Sequence, residues 1–288
     1  MASDGPIRRV AIVGTGAVGA RWAAFYLARG FDVIATDPEP GAEASLRQAI
    51  DTAWPALKAL GISPQGSPEH LCFKPNLAAA VSEADFIQEC GPEDQDRKIE
   101  LVAEIDRSAP ADSIIASSSS GLAISAIQSA CGHPERCVTA HSMDPPHLMP
   151  LVEIAAGEKT SPQTVRRALS FYASIGKKPI LVRTELPGLA ADRLCAALCR
   201  EIERLVAQGV LDSADADTVV CWGPGLCWVL SGASAMLAGS RPLEGFAREQ
   251  EEALVALLRL RSKRPARNRR IRRRKDRGGQ GIPALQAR

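Results

Sequence analysis

Residues 7–13 (IRRVAIV) form a short β-branched run that stops at glycine, the pattern of a buried strand. Positions 18–29 then carry apolar residues at helical spacing, ending at Gly30. FDVIATD (31–37) predicts a second strand that finishes on an acid, and 41–60 predicts a helix closed by Gly61 and the turn-rich SPQGSP. ADFIQECG (84–91) and SIIASSSSG (113–121) predict further strands with helical segments between them. PLVEIAA (150–156), a helix over 165–175 and KPILVR (178–183) continue the alternation. Strands alternating with helices predict an α/β fold with a Rossmann-type doubly wound parallel sheet.

From Pro187 the pattern changes. LAADRLCAALCREIERLVAQGV (189–210) predicts one long amphipathic helix, and helical spacing persists to about residue 260. The expected organisation is a Rossmann domain over 1–185, a smaller, shortened all-α domain over 186–260, and a tail over 261–288. The tail carries twelve Lys/Arg against one Asp and has no apolar periodicity. It reads either as a disordered appendage or as a polyanion-binding or nuclear-targeting arm. The rest of the chain has 23 basic and 32 acidic residues, so its own surface gives no footprint for nucleic acid. No apolar run reaches the ~18 residues of a membrane span, and the N-terminus lacks a signal-peptide order. A cytoplasmic protein is expected, and the eight cysteines, none in a C-x-x-C pair, suit a reducing compartment.

Between the first strand and helix lies GTGAVG, with Gly14, Gly16 and Gly19 in the dinucleotide-binding spacing. The first glycine permits the tight turn, the second lets the backbone approach a pyrophosphate, and the third lets helix pack on strand. Asp37 closes the second strand, where a carboxylate would accept hydrogen bonds from the adenosine ribose and repel a 2′-phosphate. Pro38 and Glu39 follow it, with no arginine to welcome that phosphate, so NAD is the expected cofactor.

The stretch TAHSMDPPHLMPLVEI (139–154) holds the candidate chemistry. It is too proline-rich for a helix and too polar at its start for an ordinary buried strand. His141, His147 and Glu153 fit no helical or strand metal motif, and hydride transfer needs no metal. It does need a base for the hydroxyl proton, which a histidine backed by a carboxylate supplies.

The chain resembles the 3-hydroxyacyl-CoA dehydrogenase family, within it the branch holding λ-crystallin, L-gulonate 3-dehydrogenase and L-carnitine 3-dehydrogenases. The resemblance runs from about residue 7 to 238, through DPEPGAEASLRQAIDTAWPAL, IIASSSSGL, HPERCV, PPHLMPLVEI, GEKTSPQTV, ELPG and WGPGL. It implies His141 as catalytic base, Glu153 as its paired acid, Ser120 on the substrate oxygen, and Glu93 and Lys98 as NAD contacts. It also implies a homodimer formed through the helical domain and a place in fatty acid metabolism. The substrate is then a 3-hydroxyacyl-CoA or free 3-hydroxy acid, with carnitine- or gulonate-like activity, or a turnover-impaired crystallin-like role, as alternatives. Two substrate-side positions depart from the family. Asp144 stands in HSMDP where an asparagine is usual, and Asp192 stands in GLAADR for a second asparagine, as in the carnitine dehydrogenases. A carboxylate only accepts hydrogen bonds, and at position 144 it is expected to favour the imidazolium form of His141. Cys227, in GLCW, replaces the family's arginine.

Overall fold

The computed structural model describes residues 6–237 and Val255. Eight strands and nine α-helices are seen among these residues, with three short 3-10 turns. The strands are β1 (Arg9–Val13), β2 (Asp32–Thr36), β3 (Leu71–Phe73), β4 (Phe86–Glu89), β5 (Ile114–Ser117), β6 (Cys137–Ser142), β7 (Leu151–Ala155) and β8 (Lys178–Val182). Helices α1 (Ala17–Ala28), α2 (Ala42–Leu60), α3 (Leu77–Val81), α4 (Gln95–Ser108), α5 (Ile124–Ile127) and α6 (Pro162–Ser174) lie among them. After β8 come α7 (Leu189–Ala207), α8 (Ser213–Trp222) and α9 (Pro224–Leu237), the last broken at Gly232. The basic segment 261–288 lies outside the described residues.

The sheet order is β3-β2-β1-β4-β5-β6-β7-β8, so the chain reverses direction across the sheet between β1 and β4. That reversal opens a crevice at the carboxyl ends of the strands, where open α/β sheets bind ligands. One sheet face buries Val10, Ile12, Trp22, Tyr26, Phe86, Phe171 and Tyr172, and the other Ala11, Val13, Ile87, Val102 and Ile115. Strand residues alternate between the two clusters because successive side chains point to opposite faces. This is the Rossmann-type fold that the alternation of strands and helices predicts.

One pairing departs from the all-parallel expectation. β7 runs antiparallel to β6, because an eight-residue proline-rich loop joins them where a parallel return needs a helical crossover. The start of the 139–154 stretch is also a fully buried strand despite its polarity. Ladder bonds and a carboxylate partner satisfy groups that composition alone marks as costly to bury. β3 and β6 are seen only in the structure. By its contacts the chain divides between Arg200 and Glu201. All the site geometry below belongs to the first unit.

Candidate active site

The cofactor crevice begins at the β1–α1 turn. Gly14 adopts φ +90°, and a Cβ there would meet Cys90 O at 2.7 Å. A Cβ on Gly19 would fall 1.9 Å from Gly14 O, so helix and turn touch through hydrogen alone. Beside Gly16 the space is open, as a cradle for phosphate requires. Asp37 is drawn over this turn. Its Oδ2 accepts from Thr15 N at 2.6 Å and Thr15 Oγ1 at 3.1 Å, while Oδ1 accepts from Glu39 N at 3.0 Å. These residues fit a dinucleotide, and Phe73 and Pro75 join Asp37 in lining the neighbouring cleft.

At the end of β4 stands a residue the sequence reading passed over. Glu89 is fully buried, and its carboxylate accepts from Gly91 N (2.7 Å), Ser117 Oγ (2.6 Å) and Lys98 Nζ (2.8 Å). Lys98, itself buried, also donates to Gly91 O at 3.0 Å and lies 3.7 Å from Glu93. Its ammonium is therefore turned inward, onto the β4–α4 turn. Glu93 Oε1 in turn accepts from Ser119 Oγ and from Gly121 N at 2.9 Å, fixing the loop that carries Ser120. An acid closing a β-branched, apolar strand pattern is the only sequence signal for Glu89, and it is a weak one.

His141 and Glu153 are opposite residues in the antiparallel β6–β7 ladder. Directly paired side chains share a face about 5 Å apart, so a twelve-residue separation becomes a contact. His141 Nδ1 lies 3.0 Å from Glu153 Oε2. The other carboxylate oxygen, Oε1, accepts from Ala190 N at 2.9 Å and Ala191 N at 3.1 Å. Glu153 thus sits on the N-terminus of α7, where the helix dipole favours its charge. Just before these amides Leu189 is held at φ +44°, an uncommon conformation for a branched residue.

A cavity of about 470 Å3 brings together Ser120, His141, Asp144, Asp192, Glu93 and Lys98. The carboxylate nearest the free ring nitrogen is Asp192, with Oδ2 3.9 Å from His141 Nε2, beyond hydrogen-bonding range. Asp144 is instead engaged by Arg21 of α1, with NH1 to Oδ1 at 2.5 Å. The expected partnership of Asp144 with His141 therefore gives way to an ion pair with an arginine that the sequence reading did not single out. His147 lines a different cavity with Arg21, Thr15, Gln48 and Thr52. Its burial, and the charges of Arg21 and Lys177, hold its pKa below the usual histidine range. Among the described residues no three histidine, cysteine or carboxylate side chains gather as a metal ligand set, and no helix is long and apolar enough to cross a membrane.

A glycine turn, an acid at the end of β2 and a histidine–carboxylate pair at the same strand ends define a dinucleotide-dependent oxidoreductase. Residues 9–185 match the family described as 3-hydroxyacyl-CoA dehydrogenase, NAD binding domain, and the chain belongs to this family. Its cofactor is NAD, and it acts on a 3-hydroxy substrate. The chain is 44% identical to L-carnitine dehydrogenase of Bacillus cereus over 226 residues, which are 78% of this chain and 69% of that protein. It is equally similar to L-carnitine dehydrogenase of Pseudomonas aeruginosa, matching 70% of that protein. Among solved structures, an NAD+-dependent 5-formyl-3-hydroxy-2-methylpyridine 4-carboxylic acid 5-dehydrogenase superposes with a TM-score of 0.76 at 34% identity, covering 90% of this chain and 83% of that one. A 3-hydroxyacyl-CoA dehydrogenase of Archaeoglobus fulgidus gives 0.67 at 26% identity, covering 80% and 74%.

Proposed function

We propose that the chain oxidises the secondary alcohol of a free, cationic 3-hydroxy acid of the L-carnitine kind, with His141 as general base. The observation that carries this reading is the 3.0 Å contact between His141 Nδ1 and Glu153, a carboxylate that also accepts from two helix amides. With Nδ1–H donating to Glu153, the Nε2 lone pair faces the reaction cavity and takes the hydroxyl proton. Glu153 then stabilises the imidazolium, as in other histidine–carboxylate pairs. Ser120, held by the Glu93-anchored loop, donates a hydrogen bond to the substrate oxygen as it becomes a carbonyl. Bound NAD+ supplies the acceptor for the hydride that leaves the carbinol carbon. The products are a 3-oxo acid, NADH and one proton.

Substrate charge follows from the cavity walls. Glu93 and Asp192 line the cavity beside an Asp144 paired with Arg21, and the one cation there, Lys98, is shared between Glu89 and Glu93, so the walls are net negative. Such walls favour a cation and repel the polyanionic tail of a coenzyme A ester. The identity with L-carnitine dehydrogenases points the same way. Exposed Leu194, Val210, Val219, Trp222 and Val229 support a homodimer, checked by sedimentation.

The test is a spectrophotometric panel with NAD+ and L-carnitine, L-gulonate, 3-hydroxybutyrate and 3-hydroxybutyryl-CoA. NADH forms fastest with L-carnitine on this reading, and silence on the whole panel overturns it. His141→Gln lowers kcat by ~10²–10⁴. The double variant with Glu153→Gln loses little more, because residues acting as one unit are not additive. A fully additive loss separates the two roles and rejects the pairing.

A further inference from the structure

The two cavities that meet at the Arg21–Asp144 pair have opposite electrostatic character. The reaction cavity holds three carboxylates beside His141. The adjoining cavity, about 590 Å3 between α1 and α2, has no carboxylate among its described lining residues. Its polar groups there are Arg21, His147, Thr15, Ser45, Gln48 and Thr52, so Arg21 is its one permanent cation. The guanidinium is about one-third exposed and bonds Asp144 through NH1, the one hydrogen bond described for it. A guanidinium carries five N–H donors in a rigid fork suited to carboxylates. The remaining donors are available to a ligand.

We propose that Arg21 is the specificity residue that receives the carboxylate of a dipolar 3-hydroxy acid, and that Asp144 is the counter-ion that holds it there. This rests on the dehydrogenase reading above and names the half of the substrate which that reading leaves unplaced. The secondary alcohol sits at His141, the cationic end lies toward Asp192, and the carboxylate crosses to the Arg21 side. Asp144 occupies part of the guanidinium that the substrate uses. Asp144 thereby competes weakly with substrate and keeps the arginine at the border between the cavities.

An anion at Arg21 has two sources, the substrate's carboxylate and the cofactor's pyrophosphate, because Thr15 and Gly16 of the nucleotide turn line the same cavity. The experiment separates them. L-carnitine and L-carnitine methyl ester are titrated by calorimetry into protein saturated with NADH, and NAD+ is titrated alone. KM for both alcohols is measured beside these titrations.

Arg21→Gln weakens L-carnitine by at least ~10-fold, equivalent to about 1.4 kcal/mol. The loss falls on KM, while the methyl ester and NAD+ change less than ~2-fold. Arg21→Lys recovers part of it, since a point charge replaces the fork. Asp144→Asn acts in the opposite direction, binding L-carnitine as tightly as wild type or more tightly.

Equal weakening of acid and ester overturns the proposal, as does a fall in NAD+ affinity, which assigns Arg21 to the pyrophosphate. Equal weakening of L-carnitine by Arg21→Gln and Asp144→Asn overturns it too, making the pair a structural wall. If wild type binds L-carnitine yet turns over none of the panel, the dehydrogenase reading fails while the binding arms still decide the role of Arg21. A wild type that binds neither the acid nor the ester overturns both.

Discussion

Two lysines lie buried under the site, and the fold disposes of their charge in contrasting ways. Lys98 is 1% exposed and meets a carboxylate: Glu89 takes two of its hydrogen bonds and Gly91 O a third. Lys177 is 4% exposed and has no carboxylate within ion-pairing distance among the described residues. Its Nζ donates to Pro146 O and, at 3.1 Å, to Met149 O. The same nitrogen lies 3.7 Å from the Phe25 ring centroid and 4.8 Å from that of Trp22. Each lysine pins one loop of the reaction cavity, Lys98 the β4–α4 turn and Lys177 the β6–β7 loop. The difference lies in what the charge does. Beside Glu89 it is one half of a neutral pair. Beside Lys177 the carbonyls and ring faces favour the ammonium without neutralising it, and burial with help from Arg29 depresses its pKa from 10.5 to about 7.

The contrast breaks most sharply at Lys98. Lys98→Met leaves the Glu89 carboxylate buried with no countercharge, a class of change that costs about 3–5 kcal/mol. Chemical denaturation of the NAD-free protein reads this directly. Adding Glu89→Gln to the same variant returns most of the loss, because the orphaned charge goes too. If Lys98→Met unfolds at the wild-type midpoint, the pair contributes nothing to stability.

Lys177→Met is expected to cost less than Lys98→Met at pH 8, because the lost hydrogen bonds are partly offset by removal of a buried amine whose proton is released unfavourably. No charge is orphaned there; two buried carbonyls lose a donor. Because those carbonyls belong to Pro146 and Met149, the loss reaches the loop that begins with Asp144. KM for L-carnitine should rise with it. A variant as costly as Lys98→Met would show that Lys177 is ion-paired in solution after all.

Legibility in the sequence follows the same division between local and long-range chemistry. The glycine turn, Asp37 and the alternating elements are written in adjacent residues, and they define the fold and cofactor end. His141 and Glu153 are nameable because the resemblance supplies them, although only the antiparallel β6–β7 register explains how twelve residues become 3.0 Å. That register is hidden because β6 looks too polar for a buried strand. Arg21 and Lys177 leave no local trace, and Glu89 only a weak one. Each depends on a partner between 9 and 123 residues away, Lys98 for Glu89, Asp144 for Arg21 and the Pro146 carbonyl for Lys177. Asp144 is the instructive case. Its identity marks a departure from the family, but its partner comes from the helix beside the nucleotide turn, 123 residues earlier.

The finest test of the contrast is pH. Between about pH 7 and 10.5 the unfolded chain carries a proton on Lys177 that the folded protein has largely released. The unfolded state therefore binds more protons there, and the Lys177 contribution makes stability rise with pH across that window. The slope is at most about 1.4 kcal/mol per pH unit, the value for one whole proton. Buried Tyr26, Tyr172 and Cys90 push the other way at the alkaline end. Their pKa values are raised by burial, so the unfolded state loses protons that the fold retains and stability falls. These groups are common to wild type and Lys177→Met, so the difference between the two proteins isolates the lysine. Measured by denaturation at pH 7, 8 and 9, the advantage of wild type over Lys177→Met is expected to grow as pH rises. A Lys177 gap that stays flat, or that shrinks, means that the folded protein has not released this proton by pH 9. Either result removes the distinction between the two lysines.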